Sequence, residues 1–561
     1  MLDRLPRTYK KLLIASLALV LLGLVTISLF AQVFLEPTLR KKIHTLIVDG
    51  SDSLYIYNLE TLHANLLGGN VEIEGLDIRI DSNRYWHLFE RNALPTLTMQ
   101  MQLEKGSIKG IGILALLFGK KIKVEEIFSS QANIVLSRHV KESEAPKQNL
   151  PIWKSMRPAL KSISIEKVKL DGVKLLYRNA DTSESVKLQF DRFDADFDDI
   201  RVDSASAFDT TRIGFTKSIF LKFHDLKFRS ADSSYKLKAE WITYSSETRS
   251  IEIDSFKMQP TLEKEDFYER TGLRQSLYYV EFNKIRFVNA PLERFIHHNQ
   301  VEADSIIISN PDLKIYLDKS TERRFVDKSG SYPHLKLAKS PLSILVKNIM
   351  LKEASVLYTE KNSGSGLEGN VSLNKIDLHI KNITNRRSII NTNPYCLVSA
   401  KGYILGTSSI EAGFRFYLDS SNGRFDMTGD INNITAAQLN QISIPLANIE
   451  LPSVNISKLN FSMRADEYTT FTNVDMRYNN LAVVLRKRDE VTGAVSNRKF
   501  LTRAVNNHML YQSNPLDGTH RVAREVKFMR LTTQSFFGVI WKSLFGGMQQ
   551  VMMRSGQLDN G

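Results

Sequence analysis

The chain has 561 residues, of which 42% are hydrophobic and 24% are charged, so it holds enough apolar material for a sizeable folded core. Its 75 lysines and arginines exceed its 61 aspartates and glutamates, and the formal net charge of +14 suits an acidic partner such as nucleic acid or an anionic membrane surface. The single cysteine, Cys396, excludes an internal disulfide framework, and no cysteine accompanies the histidines at zinc-ligand spacing.

The first predicted element is a membrane-spanning helix over residues 12–35. This run is uncharged, and at about 1.5 Å per residue it is long enough to cross a hydrocarbon core of about 30 Å. The basic residues within 1–11 predict a cytoplasmic N-terminus, although Arg40 and Lys41 weaken the charge asymmetry. A cleaved signal peptide is the alternative, but its apolar core normally has only about 7 to 15 residues. No second apolar run of this length follows, so we expect the rest of the chain on one side of the membrane.

From about residue 50 the hydrophobic period is two, which predicts β-strands. The stretch "ISIEKVKLDGVKLLY", residues 163–177, has the pattern of a small hairpin with a type I′ turn at Asp171-Gly172. The apolar phase slips by one residue at Glu166 and Lys167, and this slip predicts a β-bulge.

A similar pattern returns in "ILVKNIMLKEASVLY", residues 344–358, with Lys352-Glu353 at the turn. Upstream, the strand from Val124 matches the strand from Ala303; downstream, Ala195 is aligned with Ile376. The chain is therefore predicted to contain a repeat of about 180 residues, in which each module packs mainly against its neighbour.

The pattern predicts a mostly β protein, and two arrangements of the strands fit it. A two-layer sandwich would hide the apolar faces against each other, whereas a single curved sheet would leave them lining a trough. The periodicity by itself favours the sandwich. The predicted organisation is a cytoplasmic basic N-terminus (1–11), a transmembrane helix (12–35), a first β module (36–140), a linker (141–157), a β repeat module (158–319), a second linker (320–340), a C-terminal β module (341–530), and an amphipathic helix with a tail (531–561).

The C-terminal stretch "QSFFGVIWKSLFGGMQQVMM" spaces its apolar residues at three and four, which predicts a short amphipathic helix. The helix would either cap a β core or contact a membrane interface or a partner protein. The candidate interface residues are Phe537, Trp541, Leu544 and Phe545.

Motifs for chemistry are weak. Asp194, Asp196 and Asp198 share a strand face, but they lack the glycine and terminal glutamate of a calcium loop. The glycines of "GSGLEG" at 364–369 match a dinucleotide fingerprint only formally, because no helix follows them. His297-His298 fits a surface loop better than a metal site. The sequence therefore predicts no enzyme, no metal and no cofactor.

Three stretches resemble the AsmA-like proteins of Gram-negative envelopes, which are similar in turn to TamB-type and other bridge-like lipid transfer proteins. They are "LHANLLGGNVEIEGLDIRI" from Leu62, "NPDLKIYLDK" from Asn310, and the C-terminal region from about Asn440, which includes "VDMRYNNLAVVLRKRD" and "FFGVIWKSLFGGM". The resemblance implies a single-pass inner-membrane anchor, a periplasmic body made of an elongated, curved β-sheet, and a groove that carries phospholipid acyl chains toward the outer membrane. A periplasmic body would not meet nucleic acid.

The groove candidates are the apolar residues that the two copies share. They are Ile163, Ile165, Val168, Leu170 and Leu175 in the first copy, and Ile344, Val346, Ile349, Leu351 and Val356 in the second. The expected partners are membrane phospholipids, the inner membrane through residues 12–35, and an outer-membrane or envelope protein at the C-terminal end. The alternative function is a non-enzymatic periplasmic scaffold or assembly factor for outer-membrane proteins, which would bind them by strand addition.

Overall fold

The computed structural model describes residues 36–554 except 66–68, 92, 96, 113–120, 140–160, 180–185, 210, 214, 231, 273, 323–324, 489–491 and 493. The predicted transmembrane helix, 12–35, and the whole first predicted linker, 141–157, lie outside these residues. Within the described part of the chain, no helix is long and apolar enough to span a bilayer. Strands make up 59% and helices 19%, so the prediction of a mostly β protein is confirmed.

The chain divides into two compact units, residues 1–228 with 240–248 and residues 229–239 with 249–561. The division falls inside the predicted repeat module 158–319. In the first unit the strands pair in chain order, antiparallel throughout except for β4 and β5, which are parallel. The strands are β1 (Tyr55–Asn65), β2 (Asn70–Ile80), β3 (Leu97–Lys109), β4 (Lys121–Arg138), β5 (Ser162–Asn179), β6 (Val186–Val202) and β7 (Thr216–Arg229).

The chain division cuts through β8 (Tyr235–Ser245), and the second unit continues from there. Its strands are β9 (Ser250–Pro260), β10 (Leu277–Val288), β11 (Gln300–Ser309), β12 (Asp312–Asp318), β13 (Ser343–Lys361), β14 (Glu368–Thr384), β15 (Tyr395–Ile404), β16 (Ser408–Tyr417), β17 (Phe425–Thr435), β18 (Ile449–Ala465), β19 (Thr469–Arg488), β20 (Val495–Asn497) and β21 (Val522–Met529). Here β11 and β12 pair in parallel with β13, and the strands after β13 are antiparallel to their neighbours.

Short helices connect or cover the strands. They are α1 (Glu36–Ile47), α2 (Ser82–Glu90), α3 (Lys264–Thr271), α4 (Leu292–His298), α5 (Pro333–Ala338), α6 (Arg387–Ile390), α7 (Ala436–Ala447), α8 (Lys499–Ala504) and α9 (Phe536–Met552). Helix α5 lies within the second predicted linker, 320–340. The preceding Tyr332 is fully buried and Leu335 is nearly so, so this segment contributes to the core.

The predicted hairpin at residues 163–177 is wrong, because β5 runs through Asp171-Gly172 without turning. The register with β6 shifts there, and Gly172 has φ +66°, so the residue forms a bulge inside a continuous strand. The bulge predicted at Glu166 and Lys167 is also wrong, since the pairing with β6 does not shift at that point. A residue with positive φ is compatible with a bulge as well as with a turn. Here β5 is paired with β4 and β6 on both sides of Gly172, so the strand continues and the residue forms a bulge.

The predicted repeat is present in the structure and begins earlier than the sequence indicated. Mid-strand or loop residues with positive φ recur about 180 residues apart, as at Gly75 and Ser255 or Gly172 and Glu353. A loop hydrogen bond recurs with them, because Ile111 donates its backbone N–H to Gly69, and Ala290 donates to Arg249. Strands β1 and β2 therefore correspond to β8 and β9.

The downstream alignment needs a correction of two residues. Leu170 pairs with Ala195 in the first copy, and Leu351 pairs with Leu378 in the second, so Ala195 corresponds to Leu378 and not to Ile376. Asp194 then corresponds to Asp377, a carboxylate that both copies retain. The error arose because apolar alternation fixes the phase of a strand but not its register.

Candidate functional site

The ten predicted groove residues lie on two strands, β5 and β13. Nine of them are half-buried, and Val346 is buried. Side chains in the middle of a two-sheet core are packed almost without gaps. In addition, the described strands pair into one large sheet and not into two facing sheets. The sandwich that the periodicity favoured is therefore wrong.

An apolar row crosses the whole sheet of the first unit. Residues paired directly across neighbouring strands point to the same face of a sheet. Starting from Val168 and following the pairs in both directions gives seven apolar side chains, one on each strand. In order from β1 to β7 they are Ala64, Val71, Ile108, Ile127, Val168, Phe197 and Ile219.

The second unit has an equivalent row that passes through Ile349. It crosses eleven strands, and ten of its eleven residues are apolar. In order from β9 to β21 they are Ile251, Phe287, Ile306, Ile349, Ile380, Val398, Phe414, Met427, Met463, Thr472 and Val526. Thus both copies of the repeat place one apolar side chain per strand at matching positions. We call the side of the sheet that carries these rows the apolar face of each unit.

Residues with positive φ keep the apolar side chains of each strand together where the phase slips. Val346 and Ile349 are three apart, an odd spacing that in a regular strand would send them to opposite faces. Nevertheless they belong to one hydrophobic cluster. The slip between them lies opposite Asn382, which has φ +61° on β14. In the first unit Val124 and Ile127 also share a cluster across such a slip.

The other face of the sheet carries ion pairs between neighbouring strands, together with exposed apolar side chains such as Phe220, Leu397 and Phe471. Lys347 Nζ lies 2.7 Å from an Asp304 carboxylate oxygen, and Lys401 Nζ lies 2.8 Å from Glu411. These pairs are exposed and add little stability each. They make the sheet amphipathic, with water on one side.

Helices cover the apolar face of the second unit most fully at its C-terminal part. Phe536 of α9 lies 5.1 Å, between ring centroids, from Phe425 of β17, and the ring of Tyr332 lies 5.2 Å from Phe536. The hydroxyls of Ser543 and Thr470 are 2.6 Å apart in a buried hydrogen bond. Gly547 approaches β19 so closely that a Cβ atom would lie 2.5 Å from Val474. Here the row residues Met427, Met463 and Thr472 are buried, whereas those from Ile251 to Phe414 are half-buried.

The predicted C-terminal interface residues separate into two groups. Leu544 is buried among the core residues, so it is not an interface residue. Phe537, Trp541 and Phe545 are 72%, 53% and 44% exposed and follow one another at i, i+4 and i+8. The helix caps a β core, as one alternative held, and still presents an aromatic row outward. Helical periodicity could not separate the two groups, because α9 is apolar over more than one face.

Buried ionisable groups near this face are neutralised or uncharged. Burial raises the pKa of Asp318, but hydrogen bonds from Ser320 and the ammonium of Lys361 at 3.1 Å outweigh it and lower the pKa overall. Burial lowers the pKa of His334 to about 4 and raises the pKa of the Cys396 thiol to about 11. Both groups are therefore neutral at pH 7, and the thiol is a poor nucleophile.

The weak motifs have structural roles in the described chain. Asp194 accepts a hydrogen bond from the N–H of the bulge residue Gly172 at 2.8 Å, and Asp377 accepts the equivalent one from Glu353 at 3.0 Å. Gly369 of the glycine-rich stretch lies against Leu446 of α7. His297 and His298 end the short helix α4, so the predicted surface loop at this pair is wrong. Among the described residues, no three His, Cys, Asp or Glu side chains are grouped to hold a metal.

A surface hollow of about 730 Å³ lies over the small residues of β15, β16 and β17. Its polar lining includes Asp430 on β17, which is paired with Asn460 on β18, which in turn is paired with Asp475 on β19. These three side chains lie on the opposite face of the sheet from Phe461. Among these lining residues, no nucleophilic side chain is hydrogen-bonded to a basic one. We therefore do not assign a reaction to the hollow.

No protein-family model matches the sequence, and no curated protein is significantly similar to it.

Proposed function

We propose that this protein is a membrane-anchored, non-enzymatic lipid-transfer protein of the AsmA-like type. In this proposal residues 12–35 hold it in the inner membrane, and the body lies in the periplasm. The apolar faces form an elongated, curved groove that binds phospholipid acyl chains and guides them between the inner and outer membranes.

The observation that carries the proposal is the apolar row, which crosses every strand of the first unit and, with Thr472 as its one polar member, eleven strands of the second, where most of its residues are only partly buried. Exposing an acyl chain to water costs about 0.8 kcal/mol per methylene, or about 12 kcal/mol for sixteen carbons. A lining with one apolar side chain per strand, about 4.8 Å apart, would offset most of this cost at every position along the path. The half-burial of Val168 and Ile349 leaves part of each side chain available to such a chain.

Photocrosslinking in the full chain tests the proposal directly. The photoreactive residue p-benzoylphenylalanine would replace Val168 or Ile349 on the apolar face, and Lys169 or Met350 would serve as matched controls one residue away on the opposite face. We expect phospholipid adducts, detected by mass spectrometry after irradiation of cells, from the first pair and few from the second.

Equal labelling of both faces, or no adducts from either, would contradict the groove. A protein that crosslinks to outer-membrane proteins and to no lipid would favour the scaffold or assembly-factor function.

A further inference from the structure

The exposed side of helix α9 has no structural task in the described chain. The buried side of the helix is fixed by Phe536, Ile540 and Leu544, by the Ser543–Thr470 hydrogen bond, and by the contact of Gly547 with Val474. The row of Phe537, Trp541 and Phe545 lies away from these contacts. We call these three residues the aromatic row.

Two more apolar side chains that are near in sequence are also exposed. Met529 and Leu531, just before α9, are 68% and 62% exposed. Trp541 and Phe545 stack with their ring centroids 6.3 Å apart. Monomeric proteins rarely leave several large apolar side chains together in water unless they contact a membrane or a partner.

The charge of the same segment indicates which of these contacts to expect. Residues 498–554 contain nine lysines and arginines and two aspartates and glutamates, a net charge of +7. Half of the +14 of the whole chain is therefore concentrated in this segment. Lys542 stands beside Trp541, is exposed, and has no ion pair among the described residues. Exposed tryptophan and phenylalanine beside a lysine, in a segment of net positive charge, are typical of the interfacial region of anionic bilayers.

We propose that the aromatic row docks on the interfacial region of a second, anionic phospholipid bilayer. The proposed function gives this contact a purpose, because a conduit needs a membrane at its far end. The contact itself depends only on the aromatic row and on the positive charge of the segment that carries it. The helix enters the interface with its outward side while its other side stays packed on β19 and β21.

Vesicle capture by the full chain tests this inference. Protein held in phosphatidylcholine nanodiscs would be offered fluorescent vesicles of phosphatidylcholine with or without phosphatidylglycerol. We expect capture of the anionic vesicles to exceed that of the neutral ones by about tenfold and to fall at high salt. Combined Phe537→Ser, Trp541→Ser and Phe545→Ser should reduce capture by about tenfold or more. The matched control is Trp86→Ser with Phe89→Ser, because these side chains of α2 are similarly exposed, at 58% and 46%.

The proposal would be overturned if the triple variant captured vesicles as well as the wild-type chain does. It would also be overturned if the wild-type chain captured no vesicles. If the triple variant fails to fold, a second measurement still tests the proposal. In a chain with Trp86, Trp153 and Trp241 replaced by phenylalanine, brominated lipid in the vesicles should quench Trp541 fluorescence, and unchanged fluorescence would contradict docking. Variants Val168→Asp and Ile349→Asp separate the two proposals, because they should remove bound lipid and leave vesicle capture unchanged.

Discussion

The apolar face of the second unit is built in two ways along its length. From β9 to β14 the row residues are half-buried, and helices α3 and α7 pack on parts of these strands only, at Leu277 and Gly369. From β16 to β19 the same face is covered by α5, α7 and α9, and residues such as Phe425 and Met476 are fully buried. One sequence pattern thus produces an open surface in one region and a closed core in the other. The difference comes from the covering helices, since the strands alternate in the same way.

The largest expected difference between the two regions is in the cost of truncating a side chain. Phe425→Ala should destabilise the second unit by about 3–5 kcal/mol, because it removes a fully buried ring that contacts Tyr332, Phe416 and Phe536. The midpoint of denaturant-induced unfolding, followed by circular dichroism, measures the change. A loss below about 1 kcal/mol would show that the covered region is not the stable core of this unit.

Acid should weaken the covered region through His334. Because its folded pKa is about 4, below the usual 6.5, the unfolded chain binds the proton more tightly, and stability is lost as the pH falls from about 6.5 to 4. At pH 4.5 this amounts to roughly 2–3 kcal/mol relative to pH 7. Unfolding of the wild type and of His334→Phe at both pH values isolates the effect. If the two proteins lose the same stability on acidification, His334 does not titrate as we infer.

The attachment of α9 can be tested at its buried hydrogen bond. Ser543→Ala leaves the Thr470 hydroxyl buried without that partner and should cost about 1–3 kcal/mol. Adding Thr470→Val removes the second polar group, so the double variant should be more stable than Ser543→Ala alone. A double variant that is less stable by the sum of both single effects would argue against this coupling.

The smallest effect on stability is expected in the open region. Ile349→Ala removes a side chain that is only partly buried, so it should cost about 1 kcal/mol, less than the same change in a closed core. Ile349→Asp places a charge on the same face and should lower the amount of copurified phospholipid while the circular dichroism spectrum is retained. If Ile349→Ala destabilises the unit as strongly as Phe425→Ala does, the side chain of Ile349 belongs to a closed core and the open region is not open.

The candidate site was predicted only in part from sequence. Ile163 to Leu175 and Ile344 to Val356 were identified correctly as apolar positions shared by a repeat, because alternation and internal similarity are local signals. The first third of the repeat, β1 to β3, was missed, since Gly75 and Ser255 share a backbone conformation and little side-chain similarity. The turn assigned to Asp171-Gly172 failed because positive φ serves bulges and turns alike.

The sequence by itself determined the strand character of the chain, the apolar and polar sides of its strands, the repeat near 180 residues and the existence of a C-terminal helix. These follow from the period of the apolar residues, which any arrangement of the strands must satisfy. Tertiary structure alone decided that β4 and β5 are parallel, that Leu544 faces the core while Trp541 faces outward, and which part of the apolar face is covered. Those outcomes depend on contacts between residues far apart in the chain, and such contacts leave no periodic trace in the sequence.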